Sequence, residues 1–113
     1  LESEAKGDER AKLALDLFTY RIQQLIGQMA ASMNGVDCLV FTGTIGERSS
    51  IMRGRILDHL SYLGFVYDSA TNDKAFEPVE AANIAVTSSK PILVVSTDEA
   101  SEIVRRAELY IKQ

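Results

Sequence analysis

Several things are scarce in this sequence. Basic residues are outnumbered, with 12 Lys and Arg against 16 Asp and Glu and a net charge of −4. A nucleic-acid surface needs a basic patch, so that class of partner is not expected. No apolar run approaches the roughly 20 residues of a membrane-spanning helix, and no signal-peptide pattern is visible. The chain is therefore expected to bind neither nucleic acid nor membrane. A single cysteine, Cys38, cannot form an internal disulfide. It sits in an apolar stretch and reads as a small buried hydrophobe. This cysteine usage suits a reducing cytoplasm. The only histidine, His59, has no catalytic partner at local spacing and reads as an exposed helix residue. No repeat or low-complexity tract is present.

What remains is an ordinary globular composition, 46% hydrophobic and 25% charged over 113 residues. That length holds one core and one α/β lobe. Residues 1–7 read as a linker remnant. The first residue is Leu1 rather than Met, which suits an excised or processed piece.

The centre of the sequence is Val36–Ser50, VDCLVFTGTIGERSS. Val36–Phe41 is apolar at nearly every position. Cys38 and Val40 fall on one strand face, and Leu39 and Phe41 on the other. A strand apolar on both faces reads as a central strand of a covered sheet. Gly43 and Gly46 follow as a loop, and Ser49 or Ser50 then caps a helix. A strand, a glycine turn and a helix start can cradle an anion or nucleotide, because backbone N–H groups and the helix dipole face outward there. Two glycines after a strand also suit a plain βα turn.

A long helix precedes this unit. Asp8 is its N-cap, and Ala11, Leu15, Phe18, Ile22, Leu25, Ile26, Met29 and Met33 recur at helical spacing. Leu13, Leu17 and Tyr20 form a second apolar stripe, so the helix is expected to be covered on two sides. Lys12, Asp16, Thr19 and Gln23 mark its polar face, and Gly27 allows a close approach. Asn34-Gly35 ends the helix.

After Ser50 the core side is Met52, Ile56, Leu57, Leu60 and Leu63. Arg53 and Arg55 fall off it, as a solvated face. Gly64 closes this helix. Short strands are expected at residues 65–67 and 84–86, with a polar surface excursion, Asp68–Asn83, between them. A turn at residues 88–91 leads to a second central strand, Ile92–Val95. Ser96 and Glu99 have the spacing of a capping box for a last helix, with Ala100, Ile103, Val104, Ala107, Tyr110 and Ile111 on its core side. The order is α-β-α-β-β-β-α, a layered α/β lobe.

VFTGTIGERS resembles the Val-Phe-Thr-Gly-Gly-Ile-Gly-Glu-Asn-Ser stretch of the acetate kinase family. GDERAKLALDLFTYRIQQLIGQMAASMNGVD before it, and LGFVYD and VVSTDEA after it, resemble that family's neighbouring segments in the same order. The resemblance covers nearly the whole chain and places it as the C-terminal part of such a kinase. It implies the C-terminal lobe of an actin-like ATPase (ribonuclease H-like) fold. It further implies transfer of a phosphoryl group between ATP and acetate, giving acetyl phosphate and ADP. Propionate or another short carboxylate is the close variant. A homodimer is implied too, and apolar surface left open by a missing lobe would favour self-association.

By the same resemblance, Gly43, Thr44, Ile45, Gly46, Glu47 and Arg48 would line the adenosine side of the nucleotide site. Gly43, Ile45, Gly46 and Glu47 match the family pattern. Thr44 replaces a glycine, so its backbone is ordinary or the pocket is narrower. Arg48 replaces an asparagine and calls for an anion or carboxylate to answer it; it reaches a nucleotide phosphate or points into solvent. Thr97-Asp98-Glu99 resembles the family's Thr-Asn-Glu, which assigns Mg²⁺ binding to Glu99; the capping box is the competing role. The family's catalytic residues have no counterparts here, so no catalytic residue is assigned and the chain alone is expected to be inactive. A non-catalytic nucleotide-sensing or interaction domain is the alternative, as is an unrelated α/β module with a structural turn at Gly43.

Overall fold

The computed structural model describes residues 7–97 and 104–109. Helix α1 spans Glu9–Ser32, and Asp8 caps it by accepting from the amides of Arg10 and Ala11. It ends where Asn34 and Gly35 take positive φ, with the Gly35 amide donating back to the Ala30 carbonyl. Strand β1 (Leu39–Phe41) follows, then α2 (Gly43–Arg48) and α3 (Ser50–Leu57). A 3₁₀ turn at Ser61–Leu63, α4 (Ser69–Lys74), β2 (Ala82–Asn83) and β3 (Ile92–Val94) complete the order, and Val104–Leu109 are helical.

The sheet order is β1-β3-β2, with β3 parallel to β1 and antiparallel to β2. Ile92–Val95 is the central strand expected: Ile92, Val94 and Val95 are buried. With Ile56, Leu57, Leu60, Phe65 and Ile84 they form the core, and α1 lays Ile22 and Ile26 against it.

Several expectations change. Among the described residues β1 is an edge strand, and one of its faces is open: Val40 is 51% exposed and Cys38 is exposed, so Cys38 is not a buried hydrophobe. The alternation itself holds, since Leu39 and Phe41 are the half-buried pair. The second stripe of α1 is uncovered, with Leu13, Leu17 and Tyr20 exposed, because the described residues supply a neighbour on one side only. Thr19 and Gln23 turn toward α3 rather than solvent. Thr19 is buried, and the Gln23 side-chain amide donates to the carbonyls of Arg55 and Ile56. Gly27 lies beside Tyr62, where a Cβ would stand 3.4 Å from the hydroxyl, an approach that the tyrosine side chain could accommodate.

The α3 helix stops at Leu57, and Gly64, at φ 96°, closes the 3₁₀ turn instead. Tyr67 pairs with Ala85 as a single bridge, and β2 lies just before the expected 84–86 strand. The polar excursion contains a capped helix, since Asp68 accepts from the Thr71 amide to start α4. In the last helix Val104 and Ala107 are exposed rather than core, while Ala100, Ile103, Tyr110 and Ile111 lie outside the described residues. So do the first six residues of the expected linker.

Candidate functional site at the ends of two parallel strands

β1 and β3 run side by side, so their C-terminal ends open on the same rim. In parallel sheets that rim is where ligands collect. The chain leaves β1 at Thr42 and turns directly into α2. What reads as a loop is a six-residue helix, because Gly43 takes φ 80° and reverses the backbone at once. Thr44 and Ile45 are exposed on it, and Gly46 and Glu47 are buried. Of the two readings of Thr44, the ordinary backbone is correct: it is helical, and the positive φ falls on Gly43. Gly46 lies against β1, where a Cβ would stand 3.2 Å from the Phe41 carbonyl carbon. Ser49 then caps α3 by accepting from the Met52 amide at 3.2 Å.

Two side chains tie α2 down. The Glu47 carboxylate accepts from the Thr97 amide at 3.2 Å and from the Thr97 hydroxyl at 2.9 Å. This joins the turn after β1 to the segment after β3, and it engages both oxygens of Glu47. The second is Arg53. It is fully buried, not on a solvated face. Its Nε donates to Asn72 Oδ1 (2.8 Å), Nη1 to the Gly46 carbonyl (2.8 Å), and Nη2 to the carbonyls of Asn72 (2.8 Å) and Ala75 (2.6 Å). Burial lowers its pKa from the ordinary arginine value, and the nearby Asp73 charge works against that shift. Asn72, also buried, donates from Nδ2 to the Ser50 carbonyl. Arg55 is half-buried, again not solvated.

Arg48 lies in the last turn of α2, not at a helix start, so the dipole there favours its charge. A carboxylate does answer it: Arg48 Nε is 3.2 Å from Glu77 Oε1, and its guanidinium stands 5.3 Å from the Phe76 ring centroid. Both charged side chains are about half exposed. The Glu77 amide donates to the Glu47 carbonyl at 3.0 Å, which holds Glu77 at φ 41°, a conformation rare for a residue other than glycine. Residues 72–77, read from sequence as a polar excursion, thus form the outer wall of α2.

Glu99 lies outside the described residues, as does Asp98. Thr97, two residues before Glu99, is brought onto Glu47. Among the described residues no group of three or more His, Cys, Asp and Glu is placed to hold a metal. Magnesium does not require one, since it binds through one or two carboxylates with phosphate and water. An apolar groove of about 330 Å³ adjoins α2, lined by Phe18, Ile22, Val40, Ile45 and Arg53 among others. His59 is exposed, as expected, in a separate polar cleft with Asp16 and Asp58. No described helix is long and apolar enough to cross a membrane.

The sequence reading missed Arg53, Asn72, Glu77 and Thr97 as parts of this site. One signal for Arg53 was present. It lies between Met52 and Gly54-Arg55-Ile56-Leu57, in a helix buried nearly all round. Asn72 and Glu77 carried no local signal, because their role depends on where α4 docks.

Comparison with known proteins gives a consistent answer. Residues 1–105 match the model of the acetokinase family. An acetate kinase of Bacillus cytotoxicus is 44% identical over 105 residues, which is 93% of this chain and 26% of the relative. The crystal structure of Porphyromonas gingivalis acetate kinase superposes with a TM-score of 0.79 at 34% identity, over 97% of this chain and 27% of that one. A propionate kinase structure from Francisella tularensis gives 0.74 at 35% identity, over 87% of this chain and 24% of that one. The chain spans about a quarter of the length of these relatives, and its fold is the actin-like ATPase fold they share. It belongs to the acetokinase family.

Proposed function

We propose that this chain supplies the adenosine-side wall of the nucleotide site in an acetate kinase, a cytoplasmic enzyme that moves a phosphoryl group between ATP and acetate. One observation carries the reading. The family's glycine segment, here Gly43–Arg48, lies at the rim of the two parallel strands and is joined through Glu47 to Thr97, at the start of the segment expected to hold the metal. Gly43, Thr44, Ile45 and Gly46 would face the nucleoside, while the Glu47 carboxylate and Arg48 already have protein partners. Glu99 would help hold Mg²⁺, which neutralises phosphate charge during transfer. The whole enzyme would act as a homodimer, and the apolar stripe of α1 is surface that other parts of the assembly would cover. The propionate kinase likeness keeps a longer carboxylate as a second reading of the acceptor.

Phosphoryl transfer needs cations on the transferring group and a placed acceptor. The residues that would supply these have no counterparts here, so the 113-residue chain alone is inactive. The test compares acetyl phosphate formation, trapped as the hydroxamate, for this chain alone and for it joined to the remaining length of a family member. Activity only in the joined protein, dependent on Mg²⁺, is the expected result. Acetyl phosphate from the chain alone would refute the inactivity, and none from the joined protein would refute the kinase reading.

A further inference from the structure

We propose that Arg53, clamped by Asn72, is a positioning residue. It sets the conformation of the Gly43–Arg48 turn from behind without touching the nucleotide. The consequence for nucleotide binding rests on the function proposed above; the positioning itself does not.

A fully buried guanidinium is costly to take out of water, and Arg53 is fully buried with hydrogen bonds to four neutral oxygens and, among the described residues, to no carboxylate. Three of those oxygens lie at the C-terminal end of α4, on Asn72 and Ala75. Helix ends leave carbonyls without partners and carry the negative end of the dipole, so a cation is well placed there. The fourth is the Gly46 carbonyl, inside α2. The fork therefore joins two six-residue helices, neither long enough to be stable by itself. Gly46 is fixed from both sides, by Phe41 packed against its Cα and by Arg53 on its oxygen. Lysine would keep the charge but is a point donor and cannot span oxygens set on two elements.

The distinction is between a local clamp and a general contribution to stability. Amide hydrogen exchange, followed by NMR, separates the two. In Arg53→Lys, exchange at Glu47, Arg48, Ser49 and Glu77 is expected to speed up at least tenfold, with Phe41 and Val94 in the sheet changing less than twofold. Asn72→Ala should give the same pattern at about threefold, and it decides the matter if Arg53→Lys does not fold. Ile84→Val, a core control, should loosen the sheet and the turn together. A uniform rise in the Arg53 or Asn72 variant, or no change at the turn, would overturn the proposal. Titration with Mg-ADP adds a second readout, with Kd raised about tenfold by Arg53→Lys. If the unaltered chain binds no Mg-ADP, the functional reading above fails and the exchange pattern still decides the role of Arg53.

Discussion

Strands β1 and β3 lie side by side, run in the same direction and have nearly interchangeable sequences, Leu39-Val40-Phe41 and Ile92-Leu93-Val94. Their surroundings are unlike. Ile92 and Val94 are wholly buried, and β3 has a strand on each side. Among the described residues β1 has a strand neighbour on one side only, and Val40 is exposed. An apolar run therefore tells what a strand is built to have covered, not what covers it within a given stretch of chain. A chain spanning about a quarter of its relatives' length leaves such strands half dressed. The two arginines beside the turn show the same thing for charge. Arg53 reads as solvated and Arg48 as reaching a phosphate or solvent, yet Arg53 is fully buried with four hydrogen bonds, and Arg48 is half exposed in an ion pair with Glu77.

Substitutions test this contrast directly. Ile92→Ala should cost about 3 kcal/mol, as large-to-small changes in a packed core do, whereas Val40→Ala should stay within about 0.5 kcal/mol, as an exposed site allows. Urea unfolding of the two variants measures both. Equal losses would mean that β1 is covered, for instance by a second copy of the chain.

The next effect is smaller. Arg48→Met removes a half-exposed ion pair and a contact with Phe76, and should cost about 1 kcal/mol or less. High salt should reduce that difference further. A loss as large as that of Ile92→Ala would show that Arg48 carries part of the clamp assigned to Arg53.

The smallest effect concerns the outer wall. The hydroxyl and amide of Thr71 donate to Asp68, favour its ionised form and hold its pKa below the ordinary 3.8. The stabilisation is therefore full above that ordinary value and is lost as pH falls through the lower folded-state value. Asp68→Asn keeps a capping side chain but cannot titrate, so its stability should fall less steeply in acid. Parallel unfolding curves at decreasing pH would show this. An unchanged acid slope would mean that other carboxylates dominate.

Much of the fold was legible in the sequence because the signals were local. Asp8 and Ser49 cap helices by bonding amides two or three residues away, Asn34-Gly35 ends α1, and the apolar run of β3 marks the centre of the sheet. The turn at Gly43 was legible as well, though as a loop, because a six-residue helix is too short to show a period. What stayed hidden depends on docking between distant segments. Asn72 meets Arg53 across 19 residues and Thr97 meets Glu47 across 50, and neither pairing leaves a pattern in one sequence. Glu99, assigned by resemblance, lies outside the described residues.

The most direct test of the central claim is titration of the chain with Mg-ADP and Mg-ATP, followed residue by residue by NMR. The account predicts shifts at Gly43–Arg48, at Thr97 and at Glu99, with the exposed polar cleft around His59 unmoved. Shifts confined to that cleft, or a folded spectrum with none at all, would contradict the claim that this chain carries a nucleotide wall.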